Sequence, residues 1–202
     1  EDITGFRFAF TSMTGSGDAI LLQRSSSIVD SGSAWELRLK RHGSSNYRAS
    51  LQFKLKSTEY ISGSYGNTTL SVSASTPPLP IKSQNNNDVW YAALQRKSVN
   101  NITGSTYEIF LANRDFNNPD EIKYFSSASV STDINQATTN YTSSYSDVFP
   151  TGSRKEVWIG SSLTGSITEI SAWKYPIDKE SFLMYAFNPE TVRGSTITSS
   201  ID

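Results

Sequence analysis

Residues 156–190, EVWIGSSLTGSITEISAWKYPIDKESFLMYAFNPE, constrain the fold more tightly than any other stretch, because they spell out a definite order of elements. Val157, Trp158 and Ile159 are β-branched or aromatic and stop at Gly160, which predicts a short buried strand. A turn-rich link follows. Ile167, Glu169, Ser171 and Trp173 then alternate with Thr168, Ile170, Ala172 and Lys174. Apolar residues fall on both faces, so this strand is expected inside a sheet, covered at least in part on both sides. Pro176 has no N–H to give a ladder and closes it.

Asp178 can cap a helix, its carboxylate accepting a backbone N–H of the first turn, with Glu180 placed where the helix dipole favours negative charge. Phe182, Leu183, Tyr185 and Ala186 give that helix an apolar side, and Pro189 bars its extension past Asn188. At about two turns it would be marginal alone in water. It must pack on the rest of the chain, and a plug over one end of a β-sandwich is the expected place.

The rest of the chain alternates with a period of two. Phe6, Phe8 and Phe10 share one face of a first strand, with Arg7 and Ala9 opposite. Residues 19–23 form a second. Trp35, Leu37 and Leu39 alternate with Glu36, Arg38 and Lys40, and after a turn at 42–46, Ala49, Leu51, Phe53 and Leu55 alternate with Arg48, Ser50, Gln52 and Lys54. These two segments predict an antiparallel hairpin with one face exposed. Residues 69–73 form a further strand. Residues 76–80, TPPLP, must be extended outside a ladder, as a surface crossover.

Residues 88–96 carry Val89, Trp90, Tyr91, Ala92, Ala93 and Leu94, dense enough in apolar groups for the centre of a sheet. Tyr107, Ile109 and Leu111 mark the next strand. Ile122, Tyr124 and Ser126 mark another, with Lys123 and Phe125 on its opposite face. The connection at 131–146 is long and polar, of the kind that carries function or moves.

A chain of 202 residues suits one β-sandwich domain, 1–202, without staples. The first residue is Glu1, not Met, so the domain is expected to be cut from a longer protein. There is no cysteine, hence no disulfide and no thiolate metal site. With 18 basic against 19 acidic residues and no basic run, nucleic-acid binding lacks its electrostatic footprint. No stretch approaches the about 18 apolar residues of a membrane span, so no membrane insertion is expected.

The order strand–turn–strand–short helix at 156–190, after a Phe-rich opening strand and successive antiparallel strands, resembles laminin G-like domains of the concanavalin A-like lectin/glucanase superfamily. The resemblance implies an all-β fold, a two-sheet antiparallel jelly-roll sandwich with one short C-terminal helix, and a general role in binding. The ending Phe187-Asn188-Pro189-Glu190 also resembles laminin G-like domains embedded in large bacteriophage structural proteins. That implies an extracellular, cell-surface or virion setting.

Because the superfamily includes glycoside hydrolases, catalysis must be weighed. Retaining hydrolases need two carboxylates about 5 Å apart, met on a strand by acids two or four positions apart. The superfamily's hydrolases carry Glu-x-Asp-x-x-Glu, and no such run occurs here. Glu169 stands alone in its strand, and Glu36 and Glu108 lack acidic neighbours at i+2 or i+4. His42 is the sole histidine, in a predicted turn without a Ser-Asp arrangement. The chain is not expected to be an enzyme.

Calcium is the metal to consider, since Asp115, Asn117, Asn118 and Asp120 bring four oxygen-bearing side chains into one short loop. Asp115, Asn117 and Asp120 are the candidate ligands. The same residues also suit plain turn chemistry. For a sugar, Phe116, Tyr141 and Tyr145 offer loop rings to stack on, and Asn113, Asp115, Asn117, Asn118 and Asp120 offer groups for hydroxyls. The expected role is non-catalytic recognition of carbohydrate or a cell-surface ligand. The alternative is a structural decoration domain contacting other subunits of a larger assembly.

Overall fold

The computed structural model describes residues 4–11, 17–24, 34–43, 48–59, 68–81, 89–100, 104–115, 118, 121–131, 157–160, 163 and 165–188. Ten strands and one helix follow in order: β1 (Gly5–Thr11), β2 (Ala19–Arg24), β3 (Ala34–His42), β4 (Arg48–Glu59), β5 (Thr68–Ser75), β6 (Val89–Asn100), β7 (Gly104–Arg114), β8 (Ile122–Ser131), β9 (Trp158–Ile159), β10 (Ile167–Trp173) and α1 (Lys179–Phe187). They form two five-stranded sheets, β10-β1-β6-β7-β8 (sheet I) and β5-β4-β3-β2-β9 (sheet II). Every pairing between these strands is antiparallel. The fold is an all-β sandwich with one short helix.

Alternation along each strand becomes an inner and an outer face. Phe6, Phe8 and Phe10 of β1 and Trp90, Ala92 and Leu94 of β6 meet Trp35, Leu37, Leu39, Leu51 and Phe53 from sheet II in one continuous core. A run of rings crosses the layers: Phe6 to Trp35 at 6.2 Å, Trp35 to Phe53 at 6.5 Å, and Phe53 to Tyr107 at 5.2 Å. The β3–β4 hairpin has the expected pairing, Leu37 opposite Phe53 and Leu39 opposite Leu51. β6 is the middle strand of sheet I, as its apolar density requires. In β2 the register slips between Ile20 and Leu22, and this bulge turns both Leu21 and Leu22 into the core. The Pro-rich segment after β5 crosses from sheet II to sheet I, and Leu79 makes a single bridge to Ala49 on the way.

Four expectations from the closing segment and β8 are corrected. β10 is an edge strand, not an inner one, since β1 is its only partner among the described strands of sheet I. Its apolar residues are half-buried or exposed: Ile167 packs against the central core, Trp173 joins the cluster under the helix, and Ile170 is exposed. β9 is not buried: Trp158 is 56% and Ile159 51% exposed at the edge of sheet II. The helix does not plug an end. It lies on the outer face of sheet I, where Phe182, Tyr185 and Ala186 pack on Ala9, Tyr91, Ala93, Phe110 and Ala112. In β8, a shift at Asn113/Arg114 puts Ile122 with Phe125 under the helix, while Tyr124 stays in the central core.

The helix is anchored by local chemistry and by packing. Asp178 caps it, its carboxylate accepting the Ser181 backbone N–H at 2.7 Å. That hydrogen bond holds the Asp178 carboxyl below its usual range. Phe182 stacks on Phe110 at 5.2 Å, and burying one such ring is worth about 1.5–3 kcal/mol. Before the helix, the Gln95 amide bonds both the N–H and the carbonyl of Ile177 at 2.8 Å, so one side chain from β6 imitates a strand partner.

Candidate ligand-binding face

Sheet II has the opposite arrangement outside. The residues of β3 and β4 that turn away from the core are Glu36, Arg38, Lys40, Ser50, Gln52 and Lys54, set in register so that Glu36 faces Lys54, Arg38 faces Gln52 and Lys40 faces Ser50. β5 extends these rows with Ser73 opposite Lys54 and Ser75 opposite Gln52. β2 extends them with Gln23 opposite Glu36 and Ile20 opposite Arg38. Residues directly opposite on an antiparallel pair share a face, so the rows make one polar surface across four strands.

Arg38 organises it. Its Nε donates to the Gln52 carbonyl oxygen at 2.9 Å, and its guanidinium lies 3.5 Å from both Asp18 and Glu36. Glu36 also pairs with Lys54 at 3.8 Å. Next to this, His42 Nε2 and Ser50 Oγ are 2.8 Å apart. Gln52 and Ser50 are buried despite their polarity, hydrogen-bonded to Arg38 and His42 respectively. Exposed ion pairs of this sort contribute little to stability, on the order of 0–1 kcal/mol each. Their physical use is to hold planar donors and acceptors in fixed directions, which suits a hydroxyl-rich ligand.

The two carboxylates brought together here, Asp18 and Glu36, face a guanidinium between them. Both are paired with cations. His42 reaches Ser50, and no carboxylate of the described residues is within ion-pair distance of its ring.

Of the candidates taken from sequence, those described, Asn113, Asp115 and Asn118, fall elsewhere, at the end of β7 and in the turn before β8 in sheet I. Asn113 is buried, its amide nitrogen donating to the Val89 carbonyl at 3.0 Å. Asp115 and Asn118 belong to one turn, closed by the Asp115 N–H on the Glu121 carbonyl and the Glu121 N–H on the Asn118 carbonyl, both at 3.0 Å. Phe116, Asn117, Asp120, Tyr141 and Tyr145 lie outside the described residues. Among the described residues no three His, Cys, Asp or Glu side chains come together as a metal site. The polar face was legible only as exposed alternate positions on β3 and β4. Its network needs the strand register, which places Asp18 and Gln52 beside Arg38.

Comparison with known proteins gives no match: no family model, no curated protein and no solved structure is similar to this chain.

Proposed function

We propose that the chain is a non-catalytic recognition domain of jelly-roll, concanavalin A-like design, using the outer face of sheet II to bind carbohydrate or another surface ligand. It would serve a larger extracellular or virion protein. The observation that supports this most is the Arg38 network, an ordered set of planar hydrogen-bonding groups on a sheet face that the helix leaves uncovered. The Asp115, Asn117 and Asp120 loop keeps calcium within the proposal as a separate contribution.

The test is a glycan array with and without calcium, repeated with Arg38→Ala and Gln52→Ala. Saturable retention of a glycan, lost in both variants at unchanged circular dichroism, is the expected result. An array with no retained glycan in either condition would remove the reading. A second reading, a decoration domain docking on neighbouring subunits, is favoured by Trp158 and Ile159, which are exposed side by side on an edge strand. It gains if Trp158→Ser disrupts assembly and the sheet II variants do not.

A further inference from the structure

Arg7 is a cation enclosed by the fold, without a counter-charge among the described residues. It sits on the outer face of β1, with Ala93 opposite on β6 and Ser171 opposite on β10. It is only 7% exposed. Its guanidinium lies 4.2 Å from the centre of the Tyr185 ring and 5.9 Å from that of Trp173. No carboxylate of the described residues is within ion-pair distance of it. A guanidinium keeps its proton under all ordinary conditions, and stacking on ring faces offsets only part of the cost of burying that charge. Burial accordingly pulls its pKa below the usual arginine value, with Tyr185 opposing that shift.

A second orphan lies beside the first. Arg7 Nε and Trp173 Nε1 are both buried, and neither has an acceptor among the described residues. The indole is held firmly: it lies flat over Gly5, where an added Cβ would come within 2.8 Å of the ring. Tyr185 is held as well, its hydroxyl donating to the Glu169 backbone carbonyl at 3.3 Å. Glu169 supplies this carbonyl from a bulge in β10, where its φ of 56° is left-handed. Burial raises the pKa of both the Tyr185 and Tyr91 hydroxyls; the exposed Glu169 carboxylate adds to the rise in each, while Arg7 opposes it at Tyr185 and Arg114 opposes it at Tyr91.

Two buried N–H donors, one of them cationic, thus lie on successive pairs of one face, Trp173 opposite Gly5 and Arg7 opposite Ser171, with the guanidinium 5.9 Å from the indole centre. We infer that Arg7 and Trp173 Nε1 form a binding site for a carboxylate group, at the seam between β1, β10 and α1. One fixed positive charge matches one carboxylate charge, and a planar fork matches a planar anion. Phosphate, more strongly charged and more strongly hydrated, fits an aromatic-walled seam less well. This site is separate from the polar face of sheet II and does not depend on what binds there.

The experiment follows the indole N–H resonance of Trp173 by nitrogen-15 NMR as sodium acetate is added, with sodium chloride and sodium phosphate as parallel titrations. Trp173→Phe assigns the signal, and the indoles of Trp35, Trp90 and Trp158 report whether the fold is intact. The expected result is a saturable shift with acetate alone, abolished in Arg7→Gln while the other indoles stay in place. No shift with acetate, the same shift in Arg7→Gln, or a response to phosphate in place of acetate would overturn the assignment. Where Arg7→Gln does not fold, Arg7→Lys is read instead: it keeps the charge and loses the fork. Saturation weakened several-fold supports the site, and unchanged saturation overturns it.

Discussion

The two outer faces of this sandwich are made by the same pleat and have opposite fates. On sheet I, the positions turned away from the core hold Ala9, Tyr91, Ala93, Phe110 and Ala112. Three small residues let a helix come close, and two rings interlock with Phe182 and Tyr185. On sheet II, the corresponding positions hold Glu36, Arg38, Lys40, Gln52 and Lys54, of which Glu36, Arg38, Gln52 and Lys54 are tied to one another, and no described helix lies over them. One face is sealed by the helix; the other carries a network of polar side chains. The difference lies in the alternate residues alone, since both sheets contribute equally apolar inner faces.

That contrast can be broken most easily at the helix. Phe182→Ala removes a fully buried ring from the seal and should lower stability by about 3–5 kcal/mol in urea unfolding. A loss below about 1 kcal/mol would mean that sheet I does not rely on this cover. Asp178→Ala tests the anchor of the same helix and should cost about 1 kcal/mol at neutral pH.

The sign of its pH dependence follows from the depressed carboxyl pKa. Stability from the cap is complete above the ordinary aspartate value of about 4 and fades as pH falls through the lower folded value. The gap between wild type and Asp178→Ala in urea midpoint should therefore narrow on acidification. A gap constant across that range would assign the effect to something other than the charged cap. Smallest is Glu36→Gln on the open face, expected to change stability by less than about 0.5 kcal/mol. A greater loss would show that this face is held as tightly as its counterpart.

Much of the fold could be read because period-two alternation is a local signal. Trp35, Leu37 and Leu39 against Glu36, Arg38 and Lys40 gave both the strand and its buried side. The Asp178 cap was equally local. Sheet membership was not. Ile170 and Trp173 on opposite faces of β10 suggested an inner strand, but Ile170 is exposed and Trp173 packs with the helix cluster, so alternation alone does not place a strand within its sheet. Trp158 was expected inside by its residue type, and an edge position overrode that preference. Bulges hid further features: the shift near Asn113 moved Ile122 to the other face, and the one in β10 gave Glu169 its left-handed backbone. The polar site depends on register between β2, β3 and β4, and the Arg7 site on pairing between strands at distant points in the chain.

β9 and β10 follow one another in the chain yet border different sheets, and β10 lies against β1 through contacts such as Thr4 with Trp173, 169 positions apart. Closing so large a loop carries an entropic cost before any contact rewards it, and topologies of this kind assemble slowly. The opening strand emerges from the ribosome long before its neighbour exists, with Phe6, Phe8 and Phe10 exposed in the interval. Synthesis therefore bounds the earliest moment at which β1 can be paired on both edges, since β10 is made long after it.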